Sequence, residues 1–375
     1  MRLIALLHRW AGGLIGFLLA VLGLSGALLV WKDEWLHLTL PSSRGPTDMS
    51  PSKLVAGVQH IVDSSDVPLS FIVLPTKDLS LFTVRTKLGG GFYTDINGNS
   101  IARWDSSWER LELWLFDLHH SLLLGAPGEL VSGISGMIGL GFLVTGGVLW
   151  WRTRRAFVIP IWPKRFSRTG IIRHHRDLGI VFAPLLFVAM ATGVLMTLRP
   201  VSVLVFSIWS SPAEMRSATT PPQQTGGATA EIDWGRIVDG AISRFPEGEI
   251  RIIRLPAKEG DLIALRMRQP YEWLPNGRTL LWFDPQTGNL IEAREASNHP
   301  RGLQFSSSVY PLHAAKVGGL AYKVSLFLTG FALAMLGSFT VWTFWKRQGA
   351  AISRLRNKPE RASSCDALEG QGCPD

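Results

Sequence analysis

Four stretches without a single Asp, Glu, Lys or Arg constrain this chain more than any other feature. They cover residues 10–31, 130–151, 178–198 and 324–345, and each is 21 or 22 residues long. A helix needs roughly 20 apolar residues to cross the hydrocarbon core of a bilayer. The sequence therefore excludes a soluble globular enzyme. It predicts an α-helical membrane protein built on a four-helix transmembrane bundle, with spans at 10–31, 131–151, 178–198 and 320–345.

The excess of positive charge falls on one side of these spans. Residues 1–9, 152–177 and 346–375 carry 16 Lys and Arg against 5 Asp and Glu, whereas residues 32–130 and 199–319 carry 21 against 24. Because Lys and Arg are retained on the cytoplasmic side of a membrane, we predict that both termini, the basic loop 152–177 and the tail 346–375 are cytoplasmic. The net charge of +9 then reflects topology and contact with membrane lipid, and it predicts no nucleic-acid partner.

The two halves of the chain repeat the same order of features. Each half has a span, then a helix-like segment (52–63 or 232–245), then strand-like runs and an Asp- and Gly-containing turn, at Asp95 or Asp284. Another span closes each half. We predict a parallel internal repeat in which residues 32–130 and 199–319 form two outer α+β domains. Residues 212–230, rich in Ser, Thr, Pro, Gln and Gly, predict a flexible linker.

Histidines stand at corresponding span ends in the two halves. His8 and His175 each open an H-R-x-x-G sequence at the inner ends of spans one and three, and Leu-His occurs at His119 and His313, at the outer ends of spans two and four. A parallel repeat relates its halves by rotation about the membrane normal. His8 should therefore face His175 at one depth, and His119 should face His313 at the other. The neighbouring His174 and His120 remain alternatives at two of these positions.

Two imidazoles that approach from opposite sides of a bundle interior are the arrangement that a haem iron requires. We therefore predict two haems with His8, His175, His119 and His313 as iron ligands and His174 and His120 as alternatives. The glycines near these positions are expected to leave room for the macrocycle: Gly12, Gly13, Gly16, Gly179, Gly318 and Gly319. No nucleophile, general base or nucleotide-binding motif is present, so no catalytic residue is assigned and the electron donor must be a separate molecule.

Other polar residues of the spans have simpler interpretations. The small-residue pairs at Ser25-Gly26, Thr145-Gly146, Thr192-Gly193 and Thr329-Gly330 are typical of close helix packing in membranes. His37, His60 and His299 have no counterpart in the other half, and we expect them at the surface.

Several short motifs together resemble the PepSY-associated transmembrane family of iron-regulated bacterial inner-membrane proteins. They are L-H-R-W-x-G at residues 7–12, L-H-x-S-L at 118–122, H-R-x-L-G at 175–179, Leu-His at 312–313 and the turns at Asp95 and Asp284. The resemblance covers roughly residues 1–350. It implies a protein of the bacterial inner membrane whose two outer domains are PepSY-like and periplasmic.

Members of this family with the same layout are ferric-siderophore reductases that carry b-type haems. The resemblance implies a di-haem oxidoreductase that passes electrons across the membrane, from a quinol or a cytoplasmic reductase, to a ferric siderophore in the periplasm, ferrioxamine-type substrates among them, and releases Fe(II). Two alternatives stay open. One is a non-redox PepSY-type binding or regulatory protein, and the other is a transporter that handles haem itself.

Overall fold

The computed structural model describes residues 1–44, 50–158, 166–223 and 232–356. Its helices are α1 Arg2–Leu29, α2 Lys32–Thr39, α3 Pro51–Ser64, α4 Leu111–Ser121, α5 Ala126–Trp151, α6 Arg168–Thr197, α7 Arg199–Phe206, α8 Pro212–Ser217, α9 Trp234–Arg244, α10 Arg301–His313 and α11 Gly319–Arg356. Its strands are β1 Leu69–Val73, β2 Phe82–Thr86, β3 Gly91–Thr94, β4 Ser100–Trp104, β5 Glu249–Arg254, β6 Ile263–Arg268, β7 Thr279–Phe283 and β8 Leu290–Arg294.

Four of the helices, α1, α5, α6 and α11, are long and apolar enough to cross a membrane. These candidate spans are 26 to 31 residues long, which at about 1.5 Å per residue exceeds the roughly 30 Å of a hydrocarbon core. The predicted membrane protein with four membrane helices and an α+β region is confirmed. The helices also continue beyond the charge-free stretches, because helical structure can extend into the flanking residues outside the lipid.

Glycines bring α1 and α11 into backbone contact. A Cβ added at Gly23 would lie 2.7 Å from the carbonyl oxygen of Gly330, and one at Gly16 would lie 2.9 Å from that of Gly337. Such small residues let membrane helices approach closely. Gly12 and Gly13 likewise pack against Thr340 and Phe344 of α11. The expectation that these glycines leave room for a macrocycle was therefore wrong, since α11 already fills the space beside them.

The remaining glycines of that prediction have other surroundings. A Cβ at Gly179 would meet only Leu336, at 3.8 Å. Gly318 and Gly319 have positive φ angles of 73° and 62° in the turn between α10 and α11, a conformation that glycine adopts without strain.

The bundle has two distinguishable ends. The segments that carry the strands follow α1 and α6 and precede α5 and α11, so they lie at one end, which we call the sheet end. The N-terminus, residues 152–158 and 166–167 and the last turns of α11 lie at the other, which we call the loop end. Lys164 and Arg165 of the basic loop, and the tail beyond residue 356, lie outside the described residues.

All eight strands form one antiparallel sheet in the order β4-β3-β2-β1-β5-β6-β7-β8. The two halves meet where β1 pairs with β5, with Ile72 opposite Ile253. The α3 and α9 helices cover the sheet together, and their apolar residues, among them Val58 and Ile237, share one core with strands from both halves. The two outer segments, expected as separate domains, thus share a single sheet and a single core.

Local features of the sheet region agree with the sequence patterns. The carboxylate of Asp95 accepts hydrogen bonds from the backbone N–H groups of Asn97 and Asn99, and Asp284 binds those of Gln286 and Thr287 in the same way. The predicted linker differs in part. Its beginning, Pro212–Ser217, is the helix α8 capped by Ser211, while residues 224–231 lie outside the described part of the chain.

Candidate functional site

Two pairs of histidine rings face each other inside the bundle. His8 on α1 and His175 on α6 lie near the loop end, with ring centroids 6.3 Å apart and ring planes at 85°. His119 on α4 and His313 on α10 lie near the sheet end, with centroids 5.9 Å apart and planes at 40°. We call these the loop-end pair and the sheet-end pair. The structure thus brings together both pairs of residues that the sequence matched.

Each of the four rings is fixed through Nδ1 by a hydroxyl group on a neighbouring spanning helix. The Nδ1–oxygen distances are 2.8 Å for His8 and Thr145, 3.3 Å for His175 and Thr340, 3.1 Å for His119 and Ser25, and 3.0 Å for His313 and Thr192. The hydrogen bonds from these four rings to side chains within the described residues all use Nδ1, and His175 has a further backbone partner in Leu336. None of these side-chain bonds uses Nε2, which is left for another partner.

The hydroxyl groups also decide which ring nitrogen carries the proton. Each of them donates its own proton to the backbone carbonyl four residues earlier in its helix, for instance Thr145 to Gly141 at 2.8 Å and Thr192 to Val188 at 2.6 Å. Ser25 and Thr340 do the same. With that proton donated to the carbonyl, the hydroxyl oxygen accepts and Nδ1 is the N–H donor. Nε2 consequently keeps its lone pair, which is the state that a metal ligand needs.

Backbone carbonyl groups reinforce this arrangement at the sheet end. Nδ1 of His119 lies 3.0 Å from the carbonyl oxygen of Leu22, and Nδ1 of His313 lies 3.0 Å from that of Ala189. A carbonyl is an acceptor under all conditions, so it too requires a protonated Nδ1. Burial lowers the pKa of both rings, which keeps both imidazoles neutral.

Two glycines allow the sheet-end rings to pack closely against the spanning helices. A Cβ at Gly26 would lie 2.7 Å from Cε1 of His119, and one at Gly193 would lie 3.1 Å from Cε1 of His313. At the loop end the corresponding contact, between Gly146 and Cε1 of His8, is an ordinary 3.6 Å. The Phe142 ring also packs edge-on against His8, with centroids 5.0 Å apart.

The spacing within each pair fits one metal ion between two imidazoles. Two metal–nitrogen bonds of about 2 Å, with the half-width of each ring, place the ring centroids about 6 Å apart. Among the described residues no group of three or more His, Cys, Asp and Glu side chains could hold a bare metal ion. Two facing imidazoles would suit a haem, whose macrocycle would supply the remaining nitrogen donors. The donors present therefore fit a bis-histidine haem at each pair.

The rings of the alternative histidines make contacts other than those within the two pairs. His120 stacks on Phe116, with ring planes within 9°, and its Nε2 lies 3.6 Å from a carboxylate oxygen of Glu129. His174 is only 2% exposed and packs edge-on against Phe339, and neither of its ring nitrogens has a hydrogen-bond partner among the described residues.

The three histidines expected at the surface differ in their burial. His60 is exposed, and Nδ1 of the half-buried His37 lies 2.8 Å from the hydroxyl of Ser43. His299 is buried, with Nε2 3.0 Å from the carbonyl oxygen of Arg278. The prediction for His299 was wrong because its partner is a backbone group, which leaves no trace in the sequence.

Sequence reasoning missed the hydroxyl groups that fix the rings. Ser25, Thr145 and Thr192 were noticed, but as helix-packing residues, and Thr340 was not noticed. Thr329, the fourth predicted packing residue, donates to the carbonyl of Ser325 and contacts no histidine of either pair. A usable signal was present: Ser25 follows His8, and Thr192 follows His175, by the same 17 residues.

A family model described as the PepSY-associated TM region matches residues 5–347. No curated protein matches the sequence.

Proposed function

This chain belongs to the PepSY-associated transmembrane family, and from that membership and its two histidine pairs we propose a di-haem electron-transfer protein that reduces ferric siderophores. A haem bound between two imidazoles supplies one-electron redox chemistry. His8 with His175 would hold the haem at the loop end, and His119 with His313 the haem at the sheet end.

One observation carries the proposal: all four imidazoles bind a hydroxyl through Nδ1, in two facing pairs, and no side-chain hydrogen bond within the described residues uses Nε2. A histidine at a membrane interface that only contacted lipid headgroups would have no need of an acceptor on another helix. Hydrogen-bond acceptors that contact the other ring nitrogen of a metal-binding histidine orient its ring and raise its basicity. The geometry thus supports the same four histidines that the repeated sequence motifs suggested.

The two pairs divide the thickness of the bundle. Along α1, His8 and the residue that fixes His119 are 17 residues apart, and along α6 the spacing from His175 to Thr192 is the same. At about 1.5 Å per residue this corresponds to about 25 Å. The protein therefore provides one ligand set near each end of its spans, with apolar side chains such as Leu186 and Leu336 packed between them.

The charge distribution supports a direction for the electrons. The loop end carries the excess of Arg and Lys, which would place it in the cytoplasm of a bacterium and the sheet in the periplasm. A quinol or a cytoplasmic reductase would then supply electrons at the loop-end pair. At the sheet end the acceptor is Fe(III) in a siderophore, which takes up one electron and becomes Fe(II). Hard oxygen ligands bind Fe(II) less well, and the ion is released.

The test is an absorption spectrum of the purified full-length protein with haem quantification. We expect a Soret band, α and β bands on dithionite reduction, and about two haems per chain. His175→Ala and His313→Ala should each remove about one haem equivalent, whereas His60→Ala, an exposed histidine of α3, should remove none. Mixing the reduced protein with a ferric siderophore should reoxidise it in proportion to the Fe(II) formed.

A colourless preparation after expression with added haem precursor would contradict the proposal and favour a binding or regulatory protein. A haem-containing protein that ferric siderophore does not oxidise would favour a role in handling haem.

A further inference from the structure

The connection between β6 and β7 sets the second half of the sheet region apart from the first. It runs for ten residues, 269–278, whereas the connection between β2 and β3 is the four-residue turn 87–90. The extra residues form a hairpin loop that contacts α10, since Nη1 of Arg278 lies 3.4 Å from the hydroxyl of Ser306. On α10, Ser306 precedes His313 by seven residues, which is two helical turns or about 10 Å.

A single buried carboxylate closes this loop. Oε2 of Glu272 accepts the backbone N–H of Gln269 at 2.8 Å, and Oε1 accepts that of Arg278 at 2.6 Å. Glu272 is 8% exposed. Burial raises the pKa of Glu272, although the nearby charges of Arg266 and Arg278 act in the opposite direction. Two guanidinium groups therefore share one carboxylate whose oxygens the backbone already uses.

Several N–H donors in this cluster are buried and have no acceptor among the described residues. They are Nε of Arg266, Nε of Arg278 and Nε2 of Gln269, a residue that is 5% exposed. Elsewhere, Nη2 of Arg266 donates to the carbonyl of Gly277, at 2.5 Å. Buried polar groups in proteins nearly always have partners, and an orphaned donor calls for an explanation. Burial, together with the charge of the neighbouring Arg266, lowers the pKa of Arg278 to about 10.

The first half contains a comparable buried carboxylate whose neighbouring donors are paired with it. There the buried carboxylate Glu112 accepts from Nε of Arg110 at 2.5 Å and from the hydroxyl of Tyr93 at 3.2 Å. Glu112 stands seven residues before His119 on α4, as Ser306 stands before His313 on α10. The carboxylate in the first half is thus matched by its own donors, whereas the second half has donors and positive charge in excess.

We propose that Arg266, Arg278 and Gln269 form a binding site for an oxyanion, and that its occupant is a carboxylate group of the iron chelate. Guanidinium groups bind carboxylates through paired N–H donors, and an oxyanion here would supply the missing acceptors and the missing negative charge. The assignment to the chelate rests on the proposed function and on the two helical turns that separate the cluster from His313. The proposed site favours carboxylate siderophores over trihydroxamates. In a trihydroxamate, three monoanionic groups balance the charge of Fe(III), so that the iron centre has no net charge.

The experiment measures ligand-dependent thermal unfolding of the full-length protein at constant ionic strength. The probes are citrate, ferric citrate, inorganic phosphate and a ferric trihydroxamate. Binding to the folded state raises the unfolding temperature in proportion to occupancy. We expect stabilisation by citrate and ferric citrate, and an apparent Kd at least tenfold weaker in Arg266→Gln and Arg278→Gln. Arg278→Lys, which keeps the charge but not the paired donors, should be intermediate. Arg103→Gln removes an exposed arginine of the same sheet and should bind like the wild type.

Three results would overturn the inference: no stabilisation by either citrate probe, equal loss in Arg103→Gln and Arg278→Gln, or stabilisation by phosphate alone, which would mean a free anion. The haem spectrum of every variant is recorded in parallel and should not change. A protein without haem that still binds citrate through Arg278 would contradict the proposed function and leave the oxyanion site standing.

Discussion

The loop-end and sheet-end pairs have nearly equal ring spacing but different supports. The loop-end rings belong to the spanning helices α1 and α6, and among the described residues His8 has one hydrogen-bond partner, a hydroxyl. The sheet-end rings belong to the shorter helices α4 and α10, and each reaches a hydroxyl, a carbonyl and a glycine of a spanning helix. Both sheet-end rings, which come from outside the bundle, are thus held by more contacts than His8 is.

The largest expected effect tests which histidines form the pairs. His119→Ala should remove about one haem equivalent and His120→Ala none, because His120 lies against Phe116 and Glu129. At the loop end, His175→Ala and His174→Ala should differ in the same way. Pyridine haemochrome quantification measures each ratio. Equal losses from both members of a doublet would remove the basis for comparing the two pairs.

A methyl group beside each ring should separate the two ends next. In Gly26→Ala the new Cβ would lie 2.7 Å from His119, closer than packed carbons allow, so the ring must move and the sheet-end haem should be largely lost. Gly146→Ala adds a methyl at an ordinary 3.6 Å from His8 and should keep its haem. Haem content and the Soret maximum report both. Tolerance of Gly26→Ala would show that His119 is not seated as described.

Removing one hydroxyl at each end tests how much the backbone carbonyl groups contribute to haem affinity. Thr145→Val leaves Nδ1 of His8 without an acceptor, and we expect haem affinity to fall about 10- to 100-fold, as for other groups that orient metal ligands. Thr192→Val is the matched change, but His313 keeps the carbonyl of Ala189 at 3.0 Å, so a loss well below tenfold is expected. Rates of haem transfer to apomyoglobin measure both. A greater loss for Thr192→Val would reverse the comparison.

The smallest expected effect concerns an ion pair beside the sheet-end pair. Nζ of Lys316, three residues after His313, lies 2.6 Å from Asp33. The pKa of Asp33 is lowered, against the effect of burial, chiefly by Lys316, and that of Lys316 is raised by Asp33. The pair therefore stabilises the fold above the unfolded pKa of Asp33, near 3.8, and this contribution is lost as pH falls through the lower folded value.

Because the Asp33 side chain is 36% exposed, the loss in Lys316→Met should be about 1 kcal/mol or less. Thermal unfolding at neutral pH and at pH values below 3.8 measures it, with Lys77→Met, an exposed lysine, as the control. A destabilisation that persists unchanged at low pH would come from lost packing and not from charge.

The membrane helices and the pairing of histidines were accessible from sequence, because both depend on local patterns repeated along the chain. A charge-free run identifies a span, and H-R-x-x-G marks the same place in each half. The joining of the sheet was not accessible, because the register of β1 on β5 is set between residues about 180 positions apart and both strands read simply as apolar runs.

The failures at the glycines have a similar cause. Nothing in the sequence distinguishes Gly12 and Gly16 from Gly26, yet the first two face α11 and the third faces His119. Which side of a helix a glycine occupies depends on how the spans are arranged around one another, and the spans of this chain are apolar on all sides. Only the helix contacts in the structure separate a packing glycine from one that seats a ring.

The pairing of β1 with β5 also limits how this chain can be divided. Each half supplies four strands and one covering helix to a core that neither half completes. A polypeptide ending before α9 would leave the edge of β1 unpaired and Val58 exposed on one side. A second copy of itself could satisfy both, because an antiparallel edge-to-edge contact is self-complementary. A chain with the first half alone would therefore be expected to complete its sheet and core as a homodimer.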